Sequence, residues 1–179
     1  MVKKIIKSAG KHAGSLGLAA AAGLFFTLLL WSFNGEKIMA QRQAEKKRLM
    51  LETLSDINRD RPPVEWLHDL PTNLPAAKVI RLWRVWLADD IVAVVAQADA
   101  RYGYGGDISL IIAFTRQGLH DLRIAQHRET PGIADFLNDE TGGRRALDGV
   151  SGATISAAAI RLASQEVGLW IKNKNLFKK

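Results

Sequence analysis

The chain has 179 residues, no cysteine and a formal net charge of +7, with Lys and Arg spread among Asp and Glu. The absence of cysteine excludes disulfides, thiolate nucleophiles and cysteine-ligated iron–sulfur clusters. Because the sequence has no basic helix with interleaved aromatic residues, nucleic-acid binding is not expected, and the scattered positive charge suits a protein near anionic lipid. The length leaves room for one folded domain and additional segments.

The N-terminal region has the pattern of a membrane anchor. Residues 1–14 form a basic tail with four lysines and no acid, and residues 15–34 are apolar and free of charge. At about 1.5 Å rise per residue, this run is long enough for a hydrocarbon core of roughly 30 Å. We therefore predict a transmembrane helix over residues 15–34. It is longer than the apolar core of a usual signal peptide, which favours an uncleaved anchor.

Residues 35–61 alternate charged and apolar side chains at helical spacing, which predicts a stalk helix that ends at Arg61-Pro62-Pro63. Two interpretations of its apolar face stay open. The face could dock partner subunits, or it could pack against the chain's own folded domain, which we assign to residues 62–179.

The folded domain contains strand-like runs at residues 78–88, 91–98, 108–114 and 119–125, with turn signals after the first and third runs. These predict an antiparallel meander of about four strands. Apolar residues recur at helical spacing over residues 154–174, which predicts a helix with one buried face. The predicted fold class is α+β: an antiparallel sheet with flanking helices, preceded by one N-terminal transmembrane helix.

Three short motifs are candidates for a functional site. Residues 148–154 read as a loop that becomes a helix, where a hydroxyl side chain can cap free N–H groups and where the helix dipole favours a phosphate. Residues 103–106 form a glycine-rich turn that lets a ligand approach the backbone. Within residues 127–132, Glu129 and Thr130 supply a hydrogen-bond acceptor and a hydroxyl. On residue types alone, an ordinary helix cap is the favoured interpretation of the first motif.

Together these motifs, D-x-x-S-G-A-T at 148–154, G-Y-G-G at 103–106 and H-x-E-T-P-G at 127–132, resemble the FMN-binding domain shared by the Rnf complex G subunit and the C subunit of the sodium-pumping NADH:quinone reductase. The resemblance implies FMN joined to Thr154 through a phosphoester that a flavin transferase forms. It implies no metal ligand and no catalytic residue. The cofactor-binding residues it implies are Thr154, Ser151, Gly152, Ala153, Asp148, Glu129, Thr130, Tyr104 and Gly105.

The resemblance also implies a biological role. We expect an electron-transfer subunit of a membrane-bound, Rnf-type ion-translocating ferredoxin:NAD⁺ oxidoreductase in the bacterial inner membrane, with residues 62–179 on the periplasmic side. Its expected partners are the other subunits of the complex, the flavin transferase and membrane lipid. The sequence departs from the family pattern in the connection over residues 134–147, which is shorter than usual and is expected to reduce the cover over the flavin.

Two alternatives stay open. The chain could be a stand-alone anchored flavoprotein that donates electrons to another extracytoplasmic reductase. It could also be a membrane-tethered binding module without redox function, in which the motif at residues 148–154 only caps a helix.

Overall fold

The computed structural model describes residues 2–66, 68, 70–130 and 154–178, with side chains described from Leu16 onward except Phe33. The chain divides into two compact units, residues 1–44 and residues 45–179. The first unit is helical. The second contains a sheet, a C-terminal helix and the last turns of the N-terminal helix.

Helix α1 covers Val2–Glu52. Its large apolar side chains between Leu16 and Trp31 are exposed to between 40% and 76%. Among the residues that the structure describes, no single helix meets the length and hydropathy expected of a membrane span. Two segments, Leu16–Ser32 and Asn34–Glu52, are joined at a bend of 43°. Only the two together have the length and hydropathy of a span. The transmembrane helix over residues 15–34 therefore stays a prediction.

The helix ends at Glu52 instead of continuing to residue 61. Thr53 and Leu54 are buried immediately after it, and the hydroxyl of Thr53 donates a hydrogen bond to the carbonyl of Met50 at 2.8 Å. Ser, Thr and Asn side chains compete with helical backbone hydrogen bonds in this way. Burial of Leu54 in a core stabilises the turn that follows the helix. The alternation of charged and apolar residues predicted a helix to residue 61. This pattern does not show that Leu54 is buried against the sheet, and the prediction was therefore too long.

The sheet has five antiparallel strands in the order β1-β2-β3-β4-β5. The four long strands confirm the predicted meander. The sequence missed the first strand, which has only two residues and pairs with Trp83 and Arg84. The strands are β1 (Val64–Glu65), β2 (Ala77–Leu87), β3 (Asp90–Gly103), β4 (Gly106–Thr115) and β5 (Gly118–Gln126).

Both faces of the sheet are covered. Helix α2 (Thr154–Asn173) packs on one face, where Ile160, Ala163 and Val167 join a core with alternate residues of β2, β3 and β4. The last turn of α1 and the turn after it cover the other face through Met50 and Leu54. Double coverage explains why β3 and β4 are apolar almost without interruption rather than alternating. It also shows that the end of the predicted stalk helix packs on its own domain.

Charged side chains fix the β2–β3 turn. The carboxylate of Asp60 accepts the N–H of Ala88 at 2.8 Å, and the Arg61 guanidinium donates to the Ala88 carbonyl. Ala88 has a φ of 54°, a left-handed conformation that few residues other than glycine adopt. Burial raises the pKa of Asp60, but the hydrogen bonds from Ala88 and Arg61 outweigh it and hold the pKa below its ordinary value. Asp60 therefore stabilises the turn in its ionised form.

Candidate cofactor site

The structure brings the glycine-rich turn, the segment after β5 and the start of α2 together at one end of the sheet. The N–H of Tyr104 donates to the hydroxyl of Ser156 at 3.2 Å. The N–H of Gly105 donates to Oε2 of Glu129 at 3.0 Å. Two neighbouring amides of one turn thus join elements that are far apart in the sequence.

The turn between β3 and β4 is tighter than the sequence suggests. Strand β3 continues to Gly103 instead of ending at residue 98, so the glycine-rich motif forms a hairpin turn at Tyr104 and Gly105. The pairing register shifts between Ala100 and Gly103, and Tyr102 takes a φ of 68°. Such bulges redirect side chains at the ends of strands. Here the bulge leaves the rings of Tyr102 and Tyr104 exposed to 70% and 62%.

The glycines of this turn are required by the neighbouring protein backbone. A Cβ at Gly105 would lie 2.3 Å from the carbonyl oxygen of Arg128, and one at Gly103 would lie 2.4 Å from the carbonyl oxygen of Gly106. Neither backbone oxygen can yield as a flexible side chain would. The sequence suggested that these glycines let a ligand approach the backbone. Contact with the segment after β5 is by itself sufficient to explain why residue 105 is glycine.

Glu129 is the most unusual polar residue of this end. It is 6% exposed, and Oε2 accepts from Gly105, while Oε1 has no hydrogen-bond partner among the residues that the structure describes. Its own N–H donates to Nδ1 of His127 at 3.3 Å. A buried oxygen without a donor costs about 1–3 kcal/mol, so such atoms are usually found where a ligand or water supplies the donor. Oε1 of Glu129 is therefore a suitable acceptor for a bound cofactor.

The start of α2 offers the complementary chemistry. Thr154 is the first residue of the helix and is exposed, and the first turn carries no acidic residue. The first N–H groups of a helix lack intrahelical acceptors, and the helix dipole adds partial positive charge there. An anion such as a phosphate can therefore bind here without competition from a carboxylate of that turn.

The predicted site residues fall into two groups. Tyr104, Gly105, Glu129 and Thr154 lie on the three elements that meet at this end, and Thr130 is exposed on the segment that carries Glu129. Asp148, Ser151, Gly152 and Ala153 lie outside the described residues. The connection over residues 134–147, which is expected to reduce the cover over the flavin, also lies outside them.

Sequence reasoning assigned no role to Ser156, which is 2% exposed and connects α2 to the turn. A signal was present, because a serine in the buried face of a helix needs a hydrogen-bond partner. The motif at residues 148–154 ends two residues before Ser156 and therefore does not include it.

Comparison with known proteins agrees with this geometry. Residues 103–167 match the profile of the FMN-binding domain family. The G subunit of the ion-translocating oxidoreductase complex from Pseudomonas aeruginosa strain UCBPP-PA14 is 32% identical over 134 residues, covering 71% of this chain and 61% of that protein. The G subunit of the same complex from Cronobacter sakazakii is 27% identical over 93% of this chain. The one from Shewanella loihica is 28% identical over 74% of this chain.

The matched segment starts at the glycine-rich turn and ends within α2, so it contains all three elements of the site. Residues 103–167 of this chain are thus similar to the FMN-binding domain family. The chain resembles the G subunits of ion-translocating oxidoreductase complexes. The aligned part of the chain spans 61% of the Pseudomonas relative and 91% of the Cronobacter relative.

Proposed function

We propose that this chain is an electron-transfer subunit of a membrane-bound, Rnf-type ion-translocating ferredoxin:NAD⁺ oxidoreductase, with FMN joined through its phosphate to Oγ1 of Thr154. The observation that carries the proposal is the pair of hydrogen bonds from Tyr104 and Gly105, which hold the glycine-rich turn against Glu129 and the first turn of α2. Similarity to the G subunits of such complexes supports the role within a complex.

FMN, when bound, supplies reversible electron transfer, and the protein supplies its position and surroundings. In the proposed site the N–H groups at the start of α2 hold the phosphate beside Thr154. Oε1 of Glu129, which has no partner within the described part of the chain, would accept a hydrogen bond from a donor group of the flavin. Thr130, Ser151, Gly152 and Ala153 complete the site in this proposal.

Attachment requires a flavin transferase. It transfers the FMN group from a flavin dinucleotide: the diphosphate P–O bond of the donor breaks, a new P–O bond forms to Oγ1 of Thr154, the nucleoside monophosphate leaves, and the hydroxyl proton passes to solvent. In this proposal Asp148 serves recognition by the transferase. Thr154 is exposed, as an acceptor of an external enzyme must be.

The proposed location is the bacterial inner membrane, with residues 15–34 as a single anchor and the flavin domain on the periplasmic side. The exposed apolar side chains of α1 between Leu16 and Trp31 support an environment of lipid for this segment. A covalent link keeps the cofactor on a domain that the cytoplasmic FMN pool does not reach.

The test is flavin fluorescence on a denaturing gel, using the full chain co-expressed with a flavin transferase and, as control, without it. Fluorescence in the protein band only with the transferase is expected. A flavin that leaves the protein on denaturation would contradict covalent attachment. Co-purification with polytopic subunits would then indicate a subunit of a complex. A stand-alone anchored flavoprotein would purify alone from the same membranes.

A further inference from the structure

A second concave surface lies at the opposite end of α2 from Thr154. It is a groove of about 1020 Å³ between the β4–β5 turn, the C-terminal half of α2 and the residues that follow it. Leu169, which is 61% exposed, lines it together with Phe114 and Phe177. We call it the basic groove for the charges described next.

The described residues that line the basic groove include four cations and no carboxylate: Arg116, Arg161, Lys172 and Lys178. Arg116 is paired with Asp90 on the neighbouring strand. No carboxylate of the described chain lies within ion-pair distance of Arg161, Lys172 or Lys178. The groove therefore combines apolar lining residues with three cations that have no ion-pair partner in the described part of the chain.

We propose that the basic groove docks an acidic, amphipathic segment of a partner protein, whose apolar side chains contact Leu169 and Phe177 and whose carboxylates pair with the cations. Charge complementarity and a buried apolar centre are the usual basis of such docking. The proposal does not depend on flavin attachment.

The spacing of the cations favours a ligand with several anionic groups over a single headgroup or a free phosphate. Arg161 and Lys172 lie eleven residues apart on α2, which corresponds to about 16 Å along the helix axis. One phosphate cannot contact both side chains directly over that distance, whereas carboxylates at successive turns of a peptide helix can. The positive charge is thus distributed as a segment with several acids requires.

The position of the groove adds a functional consequence. Leu169 lies fifteen residues beyond Thr154, about 22 Å along α2. A partner held there leaves the glycine-rich turn and Glu129 uncovered. The groove can therefore hold the domain in place while the cofactor end stays free to exchange electrons.

The probe is a synthetic amphipathic peptide with Leu on one face and Glu on the other, labelled with fluorescein, titrated with the full chain in detergent. We expect Leu169→Gln, and separately the pair Arg161→Gln with Lys172→Gln, to weaken binding about tenfold. Leu162→Gln and Lys174→Gln are matched controls, since both residues are exposed and neither lines the groove. They should bind as the wild type does.

Several outcomes would overturn the proposal. Equal binding by groove and control variants would remove the groove as the site, and equal binding of a peptide with Gln in place of every Glu would remove the charge argument. Vesicles of anionic phospholipid that bind through Lys172 while the peptide does not would assign the groove to lipid. Self-association lost in Leu169→Gln, without peptide binding, would assign it to a second copy. The groove variants should still acquire flavin, so failure here is separable from failure at Thr154.

Discussion

The two ends of α2 meet the sheet in different ways. At the N-terminal end, backbone amides of the glycine-rich turn bond to Ser156 and Glu129, and glycines permit contact between backbones. At the C-terminal end, side chains of α2 and the β4–β5 turn leave a groove with apolar and cationic walls. The first end is fixed by contacts that tolerate little change, as a site that orients a cofactor needs. The second presents Arg161, Lys172 and Lys178, which have no ion-pair partner among the described residues, as a docking surface does.

The largest expected effect is at Gly105, in the glycine-rich turn at the N-terminal end of α2. Gly105→Ala places a methyl group 2.3 Å from the Arg128 carbonyl oxygen, where no side chain can move aside. We expect the free energy of unfolding to fall by about 3 kcal/mol, the upper part of the range for overpacking. Urea unfolding of the full chain in detergent, followed by tryptophan fluorescence, measures it. A change below about 1 kcal/mol would show that the segment after β5 is not held against this turn.

The loss of one hydrogen bond should have the next largest effect. Ser156→Ala removes the acceptor of the Tyr104 N–H and is expected to cost about 1 kcal/mol. Ser164→Ala is the matched control on the same helix: its hydroxyl donates only to the carbonyl of Ile160, one turn back. That bond adds little to a helix, so the control should change the free energy of unfolding by less than about 0.5 kcal/mol. Equal effects would contradict a special role for Ser156.

Gly168→Ala at the other end should be nearly neutral. The new Cβ would lie 2.8 Å from the ring of Phe114, which can tilt toward the groove. Alanine gains about 1 kcal/mol over glycine in a helix, which offsets the cost of moving the ring. We expect a net change within about 1 kcal/mol in the same unfolding assay. A loss as large as that of Gly105→Ala would mean that both ends are equally rigid.

The smallest expected effect concerns pH at the β2–β3 turn, which lies at the groove end of the sheet. The folded pKa of Asp60 is below its ordinary value, so its contribution to stability is present above the unfolded pKa and is lost as pH falls through the folded one. The difference in unfolding free energy between wild type and Asp60→Asn should be constant at neutral pH and shrink as the pH is lowered below 3.8. A difference that grows in acid would contradict this sign.

The sequence predicted the regular elements better than the contacts between them. The four long strands and α2 follow from turn signals and periodicity, because those patterns report which residues must be buried. Helix α1 ends at Glu52 because Leu54 is buried against the sheet. No local sequence pattern contains this tertiary contact. The two-residue strand β1 is too short to carry a pattern at all.

The candidate site shows the same limit. The motifs predicted its members, since their residue types suit a flavin and its phosphate, and the structure brings Tyr104, Gly105 and Glu129 to the start of α2. The motifs did not reveal that Gly105 is required by contact with Arg128, or that Ser156 joins α2 to the turn, because both depend on how distant segments meet. The basic groove was also missed: its cations are dispersed between residues 116 and 178, and only the fold collects them.

Attachment of FMN at Thr154 is tested most directly by the intact mass of the full chain, purified from cells that co-express a flavin transferase, for wild type and Thr154→Ala. The wild type should carry an added mass of one FMN less one water, and the variant should carry none. Ser164→Ala should retain the increment, because its side chain is buried on α2 away from the helix start. An increment that persists in Thr154→Ala, or no increment in the wild type while the transferase modifies a control substrate, would contradict attachment at Thr154.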